Sequence, residues 1–160
     1  MATDMFIKIG DLADESKDKD HKGETDVLAW SWGASNSGSA HVGGGAGSGK
    51  ASFQDLSFTK YISKSSPKLF LACATGKHFA DATLVCRKAG DKPLEYLKFK
   101  LTEVLVTSYS TGGSGGEDRL TENVTLNFAK IEMTYNEQGV KGAGAGDISA
   151  GYNISENAAV

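Results

Sequence analysis

The stretch Leu94–Tyr135, LEYLKFKLTEVLVTSYSTGGSGGEDRLTENVTLNFAKIEMTY, decides how this chain folds. Apolar residues that alternate with polar ones mark a strand with one buried face, because successive side chains point to opposite sides of a sheet. Leu97, Phe99 and Leu101 keep one phase, and Val104 and Val106 resume on the opposite parity. Val124, Leu126 and Phe128 hand over in the same way to Ile131, Met133 and Tyr135. A three-residue step in a two-residue period is what an inserted bulge residue produces, so each strand is expected to bend while keeping one face inward. Strands over 94–109 and 119–136, joined by STGGSGGED, therefore make a long bent hairpin that curls towards a barrel.

Outward from the hairpin most of the chain reads as strand, with 79–89 as the strand before it. One helix is signalled over 66–75. Ser66 can cap it, Pro67 fits the first position where a missing N–H is harmless, and Gly76 fits the left-handed position past the end. An irregular turn over 59–64 precedes it, and its apolar density predicts burial against a sheet. SFQDLSF, with Phe53, Leu56 and Phe58, is a strand ending in a turn, and Met5, Ile7 and Ile9 alternate with Phe6 and Lys8 as the first strand. In DVLAWSWG, Leu28, Trp30 and Trp32 share one face while the smaller Val27, Ala29 and Ser31 share the other. Asp11–Thr25 mixes both charge signs and reads as a solvated loop.

Residues 33–50, GASNSGSAHVGGGAGSGK, hold seven Gly and four Ser among eighteen positions, too permissive for the interior of an element. Unstructured loops of this length are uncommon in a domain unless they are functional or disordered, so the segment is expected to be a flexible arm. Residues 138–150 form a second Gly/Ala-rich stretch, with GYNIS returning as a short final strand.

Composition narrows the function. With 160 residues, 16.8 kDa and 39% apolar content, the chain is one domain with material for a core that needs neither disulfides nor structural metal. The 17 basic residues against 20 acidic ones give a net charge of −3, and the densest basic cluster, Lys17, Lys19 and Lys22, is diluted by Asp14, Glu15, Asp18 and Asp20. Binding to nucleic acid through phosphate neutralisation is excluded on this balance. Apolar runs such as Leu69–Ala74 fall far short of the ~20 residues of a spanning helix, so no membrane insertion is expected. MATDMFIKIGDLADESKDKD has neither the basic nor the apolar region of a signal peptide, which predicts folding in the cytoplasm and export by a route that accepts folded protein. Cys73 and Cys86 stand in apolar stretches with no CxxC pattern and are expected to be core thiols.

Reaction chemistry is hardly represented. Gly44, Gly49 and Lys50 match the spacing of a phosphate-binding loop, but Ala51 stands where the Mg²⁺-holding Ser or Thr belongs. His21, His41 and His78 share no metal-ligand spacing. Gly112–Gly116, GGSGG, has the letters of a nucleophile elbow but joins two strands. Glu117, Asp118 and Glu122 beside Arg119 read as a local charge network. No enzyme activity, metal or cofactor is expected. The competing class is a monomeric β-barrel that binds a small ligand or runs a reaction in an internal pocket. A β-rich domain with a long arm and no reaction site is instead suited to assembly, in which unlike surfaces meet between copies and the contact closes as a ring or continues as a filament.

DMFIKIGD, DVLAWSWG with the Ser/Gly-rich arm after it, FQDLSFTKYISKSSPKLFLACATGKH and STGGSGGEDRLTENVTLNFAKIEMTY strongly resemble, in this order and spacing, the Hcp family, the haemolysin-coregulated tube proteins of type VI secretion. The resemblance runs from Met5 to about Tyr135, with a weaker echo in AGYNIS; residues 138–150 are the least family-like. It implies a mainly β, two-sheet β-barrel with one flanking helix and a long extended loop, occupying 1–160 as a single domain. It further implies a hexameric ring with a wide channel. Such rings stack into the inner tube of a contractile apparatus, inside a sheath, on a baseplate and beneath a spike protein, and small effectors travel in the lumen. By the family pattern the arm, with Gly43, Gly44, Gly45 and Lys50, and the hairpin tip, with Thr111, Ser114, Glu117 and Asp118, are candidates for ring or stacking contacts. Ser31 and Ala29 are candidates for the lumen wall.

Overall fold

The computed structural model describes residues 3–38, 50–90, 92–138 and 144–160. The strands are β1 (Thr3–Ile9), β2 (Thr25–Asp26), β3 (Ala29–Ser31), β4 (Ala34–Asn36), β5 (Ala51–Phe53) and β6 (Leu56–Tyr61). Then follow α1 (Ser66–Thr75), β7 (His78–Lys88), β8 (Leu94–Thr111), β9 (Thr121–Gln138), β10 (Gly144–Asn153) and β11 (Ala158–Ala159). All strand pairs are antiparallel; one sheet runs β11-β10-β9-β8-β7-β1-β2, with β6 on β9 and β3 on β6, and β4 and β5 pair separately.

The phase step expected in the hairpin is present, and its origin differs from the one the sequence suggests. Phe79 faces Val104 and Asp81 faces Thr102 between β7 and β8; Thr102 faces Lys130 and Val104 faces Phe128 between β8 and β9. Ala80, Glu103 and Ala129 are the residues passed over, and they lie on one line across three strands. No strand gains a residue on its neighbour there, so this is a shared crease rather than a bulge. Glu103 takes a left-handed φ of 54° on that line. The residues gained within β8 lie elsewhere, at Thr107, between Val106 and Ser108, and at Tyr96, opposite the Cys86/Arg87 step of β7.

The crease turns one sheet into two layers. Ile7, Ile9, Ala82, Leu84, Phe99, Leu101 and Ile131 line one layer; Leu56, Phe58, Val104, Val106, Val124, Leu126 and Phe128 line the other, and all belong to one buried cluster. Burying each of the Val, Leu, Ile and Phe side chains among them contributes roughly 1.5–3 kcal/mol. The barrel is not closed by a hydrogen-bonded ladder. Its seam is crossed by the chain itself: Val27 N–H donates to Met5 C=O at 2.9 Å on one side, and Leu28 N–H to Thr59 C=O at 2.8 Å on the other. This crossing breaks the single strand expected over DVLAWSWG into β2 and β3, so Val27 is buried and Leu28 exposed, the reverse of the face assignment from alternation.

Helix α1 has the expected bounds. Pro67 stands in its first turn and Gly76 closes it at φ 73° with its N–H on Ala72 C=O, but the N-cap position is Ser65, and the Ser66 hydroxyl is used elsewhere. Leu69 and Ala72 are buried, whereas Phe70 and Leu71 are each 58% exposed, so only one stripe of the apolar helix is covered. The turn expected over 59–64 begins later, since β6 runs through Tyr61.

The charged segment 11–24 is solvated on one side only, with Asp11, Glu15, Lys17, Lys19, Asp20 and Lys22 exposed. It lies on the outer face of β1 and β7, where Asp14, Ser16 and His21 are buried. Arg87 donates to Asp18 at 2.5 and 3.0 Å and to Asp4 at 3.2 Å, with its guanidinium 5.0 Å from the Phe6 ring centre. His21 stacks on Phe6 at 4.4 Å and places its ring nitrogens 3.0 Å from Glu24 and 2.6 Å from Glu95. Alternating charge along a loop looks hydrophilic in one dimension; here Asp14, Glu15, Asp18 and His21 each meet a partner on another element, while Lys17, Lys19 and Lys22 stay exposed. Cys86 is buried and Cys73 half-buried, both free, so the core-thiol reading holds fully for Cys86 alone.

Two outcomes test this account. Glu103→Val puts a β-branched residue at a left-handed φ and should lower stability by about 1–2 kcal/mol in urea unfolding, while Glu103→Gly should leave it near the parent value. The Arg87 guanidinium holds the Asp18 carboxyl at about 2, below its ordinary 3.8. A depressed carboxylate stabilises the fold above its unfolded value, and that share is lost as pH falls from about 4 through 2. The urea midpoint of Asp18→Asn should therefore fall less than the parent's over this window.

Candidate functional site

Ala29 and Ser31 are both exposed and sit directly opposite Thr59 and Ser57 of β6. Those two face Asn123 and Thr125 of β9, and Thr125 faces Ser108 of β8. Residues opposite one another in a ladder share a face, so the outer side of β3, β6, β9 and the end of β8 is a continuous field of small, neutral side chains. They bond mainly to each other: Thr59 donates to Asn123 at 2.7 Å, and Thr125 meets Thr107 and Ser108, each at 2.7 Å. Asp55 at its margin is held by Thr107 at 2.6 Å and Asn127 at 2.8 Å. The reverse side of β3 carries Trp30 into the core, edge-on to Phe99 at 5.2 Å.

Beneath this face lies a buried ion pair. Lys60 and Glu122 are cross-strand partners on β6 and β9, 1% and 0% exposed, and in salt-bridge contact. Lys60 Nζ also donates to Tyr61 C=O at 2.9 Å and Ser63 Oγ at 3.0 Å, and Ser66 Oγ donates to Glu122 at 2.6 Å. The cluster ties β6, β9 and the start of α1 together. Ser65 and Thr25 each donate to Asp14 at 2.6 Å, which carries the network to the 11–24 loop. Burial pushes Asp14 up, but the Ser63, Ser65 and Thr25 hydroxyls and the Lys60 ammonium outweigh it and hold the carboxyl below its ordinary value. Burial, and then the Glu122 carboxylate, push the Tyr109 phenol up to about 12. Glu122 is therefore no part of a surface charge network with Glu117 and Asp118. Arg119, expected in that network, lies 3.8 Å over the Tyr61 ring.

The hairpin-tip candidates Thr111, Ser114, Glu117 and Asp118 are exposed; Thr111 donates to Thr121 C=O at 2.9 Å, and Glu117 N–H to Ser114 C=O at 3.2 Å. Gly43, Gly44 and Gly45 lie outside the described residues. Lys50 is exposed and leads into β5, a strand rather than the helix a phosphate-binding loop requires. The base of the arm is an antiparallel ribbon, since Ala34 faces Phe53 and Asn36 faces Ala51. The 138–150 stretch is also more regular than expected, with residues 144–150 in strand β10. Register places arm and tip at opposite ends of β6. The arm departs beside Ser31 and Ser57, and the tip beyond Tyr61 and Thr121. Among the described residues no three His, Cys, Asp or Glu side chains form a metal-holding group. His78 is exposed and His41 is outside the described residues. Sequence reasoning missed the Lys60–Glu122 pair, although Lys60 continues the inward phase of Leu56 and Phe58 and so carried the signal.

Comparison with known proteins bears on this arrangement. The family model described as "Type VI secretion system effector, Hcp" matches residues 6–135. Protein hcp1 of Pseudomonas aeruginosa is 62% identical over 159 residues, which cover 98% of each chain. Among solved structures, Hcp1 from Salmonella typhimurium is 41% identical with a TM-score of 0.84, covering 100% of both chains. A type VI secretion system effector from Yersinia pestis is 39% identical with a TM-score of 0.78, over 94% of this chain and 100% of that one.

Removing one member of the buried pair strands the other in a dry site, so Lys60→Ala or Glu122→Ala should cost about 3–5 kcal/mol in urea unfolding. The double variant Lys60→Met/Glu122→Leu, which leaves no orphan charge, should lose less than either single one.

Proposed function

Since this chain belongs to the Hcp family of type VI secretion system effectors, secreted structural proteins rather than enzymes, we propose that it is the repeating subunit of a hexameric ring that stacks into the inner tube of the apparatus. On firing, the tube is expelled with small effectors in the ring lumen. The spike protein, the contractile sheath and the baseplate are its partners in the apparatus. The observation that carries this reading is the small, neutral face holding Ala29 and Ser31. A channel wall that must hold a folded passenger and later release it needs many weak contacts rather than one deep pocket. Hydroxyl and amide groups that already bond to each other offer such contacts without a charge to desolvate. Six copies around one lumen add their small terms, so a weak contact per subunit becomes useful retention.

The same reading gives roles to the two ends of β6. A ring that stacks head to tail needs unlike surfaces on its two rims, and the arm base with Lys50 leaves at one end while the Thr111–Asp118 tip leaves at the other. Gly43, Gly44 and Gly45 belong to the arm in this proposal.

Light scattering should return a mass near six chains, with annular particles in negative stain. A monomer whose melting temperature rises with a small ligand would overturn the reading in favour of a binding barrel. Ser31→Gln should keep the ring but carry at least tenfold less effector, because a cost of about 0.3 kcal/mol at each of six walls exceeds the 1.4 kcal/mol of one decade. Retention at the parent level would remove Ser31 from the lumen.

A further inference from the structure

The neutral face that holds Ala29 and Ser31 has one charge at its edge. Asp55 immediately precedes β6 and continues the outward phase of Ser57 and Thr59, while Leu56 between them faces Leu126 and is buried. Every other outward side chain of β3, of β6, of β8 beyond Val104 and of β9 before Phe128 is uncharged. Lys60 and Glu122 carry their charges inward, to each other. Among the described residues Asp55 makes no ion pair.

Its position is nonetheless fixed. Thr107 Oγ1 donates to one carboxylate oxygen at 2.6 Å and Asn127 Nδ2 to the other at 2.8 Å. Thr107 is the residue gained in β8 and faces no residue of β9 in the register; a bulge of this kind re-aims a side chain, here towards Asp55. These two bonds do not need a charge. An Asn at 55 could accept from Asn127 and donate to the Thr107 hydroxyl, so the ties account for a polar side chain and leave its negative charge over. A carboxylate offers about four acceptor sites, and the protein occupies two of them. Held still, unpaired and set in an uncharged surface, it is preorganised for a cation from outside, because little side-chain freedom remains to be lost when the cation arrives.

We propose that Asp55 selects the passenger: repeated in six copies around the lumen, it draws proteins whose surface presents Lys or Arg and turns away acidic ones. The inference rests on the ring reading above and gives its neutral wall a preference. A concave surface lined by charges of one sign concentrates their field, and six fixed carboxylates can meet several basic side chains of one passenger at once. The Ser/Thr/Asn field offers contacts that any protein surface can use; the carboxylates add a sign. Asp55 follows the arm base, two residues past Phe53 of β5, so the charge gathers on the arm side of each ring.

The test follows the fluorescence anisotropy of labelled tetra-lysine and tetra-glutamate peptides against the parent, Asp55→Asn and Asp81→Asn, with light scattering and melting temperature read on the same samples. Asp81 is an exposed carboxylate on the outer side of β7, away from the neutral face, and controls for general attraction to an acidic protein. The parent ring should bind tetra-lysine and not tetra-glutamate. Asp55→Asn should keep ring mass and bind tetra-lysine about tenfold less tightly, because several exposed ion pairs of modest strength are lost together. Asp81→Asn should match the parent, and salt at about 0.5 M should remove the difference between parent and Asp55→Asn. Equal affinity of the parent and Asp55→Asn rings, or an equal loss in Asp81→Asn, would overturn the selection and leave the ring reading standing. A parent at one chain would overturn the ring and the shared carboxylates with it. Should Asp55→Asn fail to fold, Asn127→Lys neutralises the carboxylate from its neighbour and should lose tetra-lysine to the same extent; undiminished binding there would refute the role of Asp55.

Discussion

Everything in this fold hangs on the crease through Ala80, Glu103 and Ala129. A two-residue side-chain period forces each face of a strand to stay on one side, so a long sheet cannot bend sharply without exposing its apolar row. Passing over one residue in three neighbouring strands at the same rung resets the phase of all three at once. Both halves of β7, β8 and β9 then direct apolar residues into the same interior, and the ladder keeps its register. Small Ala side chains at two of the three positions, and a left-handed φ at Glu103, let the backbone turn on that line.

Register is the second constraint, and buried charges enforce it. A slip of one residue between β6 and β9 would expose Leu126 and bury Asn123, and it would also part Lys60 from Glu122 in a dry site, where unpaired charges are costly. The pair thus acts as a pin: it adds little net stability over an apolar replacement, but it makes wrong pairings worse. Arg87 does similar work on the far layer, where Asp4, Asp18 and the Phe6 ring hold the 11–24 loop against β1 and β7. With both layers pinned, the Ser/Thr/Asn field carrying Ser31 must lie outside and stay flat.

The apolar groups left uncovered fall where the layers are unequal. β9 and β10 outrun the opposite layer, and α1 shows only one stripe to the sheet. A lone monomer gains nothing from these overhangs, whereas a subunit that meets copies of itself can bury them. The same inequality keeps the neutral face and the apolar overhangs on different sides of one small domain.

Much of this was legible in the residues themselves. The 97–106 and 124–135 phase steps predicted two bent strands, Pro67 and Gly76 bounded the helix, and the Ser31 side of DVLAWSWG showed its small residues. The family followed from motifs in order. What alternation could not supply was any relation between distant segments. That the phase steps of β7, β8 and β9 coincide on one crease, that Val27 turns inward where the chain crosses the seam, and that Lys60 finds Glu122 all depend on which strands become neighbours. The sequence by itself determined the helix, the long strands β7, β8 and β9 and the inward faces of the hairpin, because local periodicity and backbone preference act over a few residues. Only the tertiary structure decided the partners of the buried charges and the extent of the apolar overhangs, because pairing energies and overhangs exist only once the layers have met.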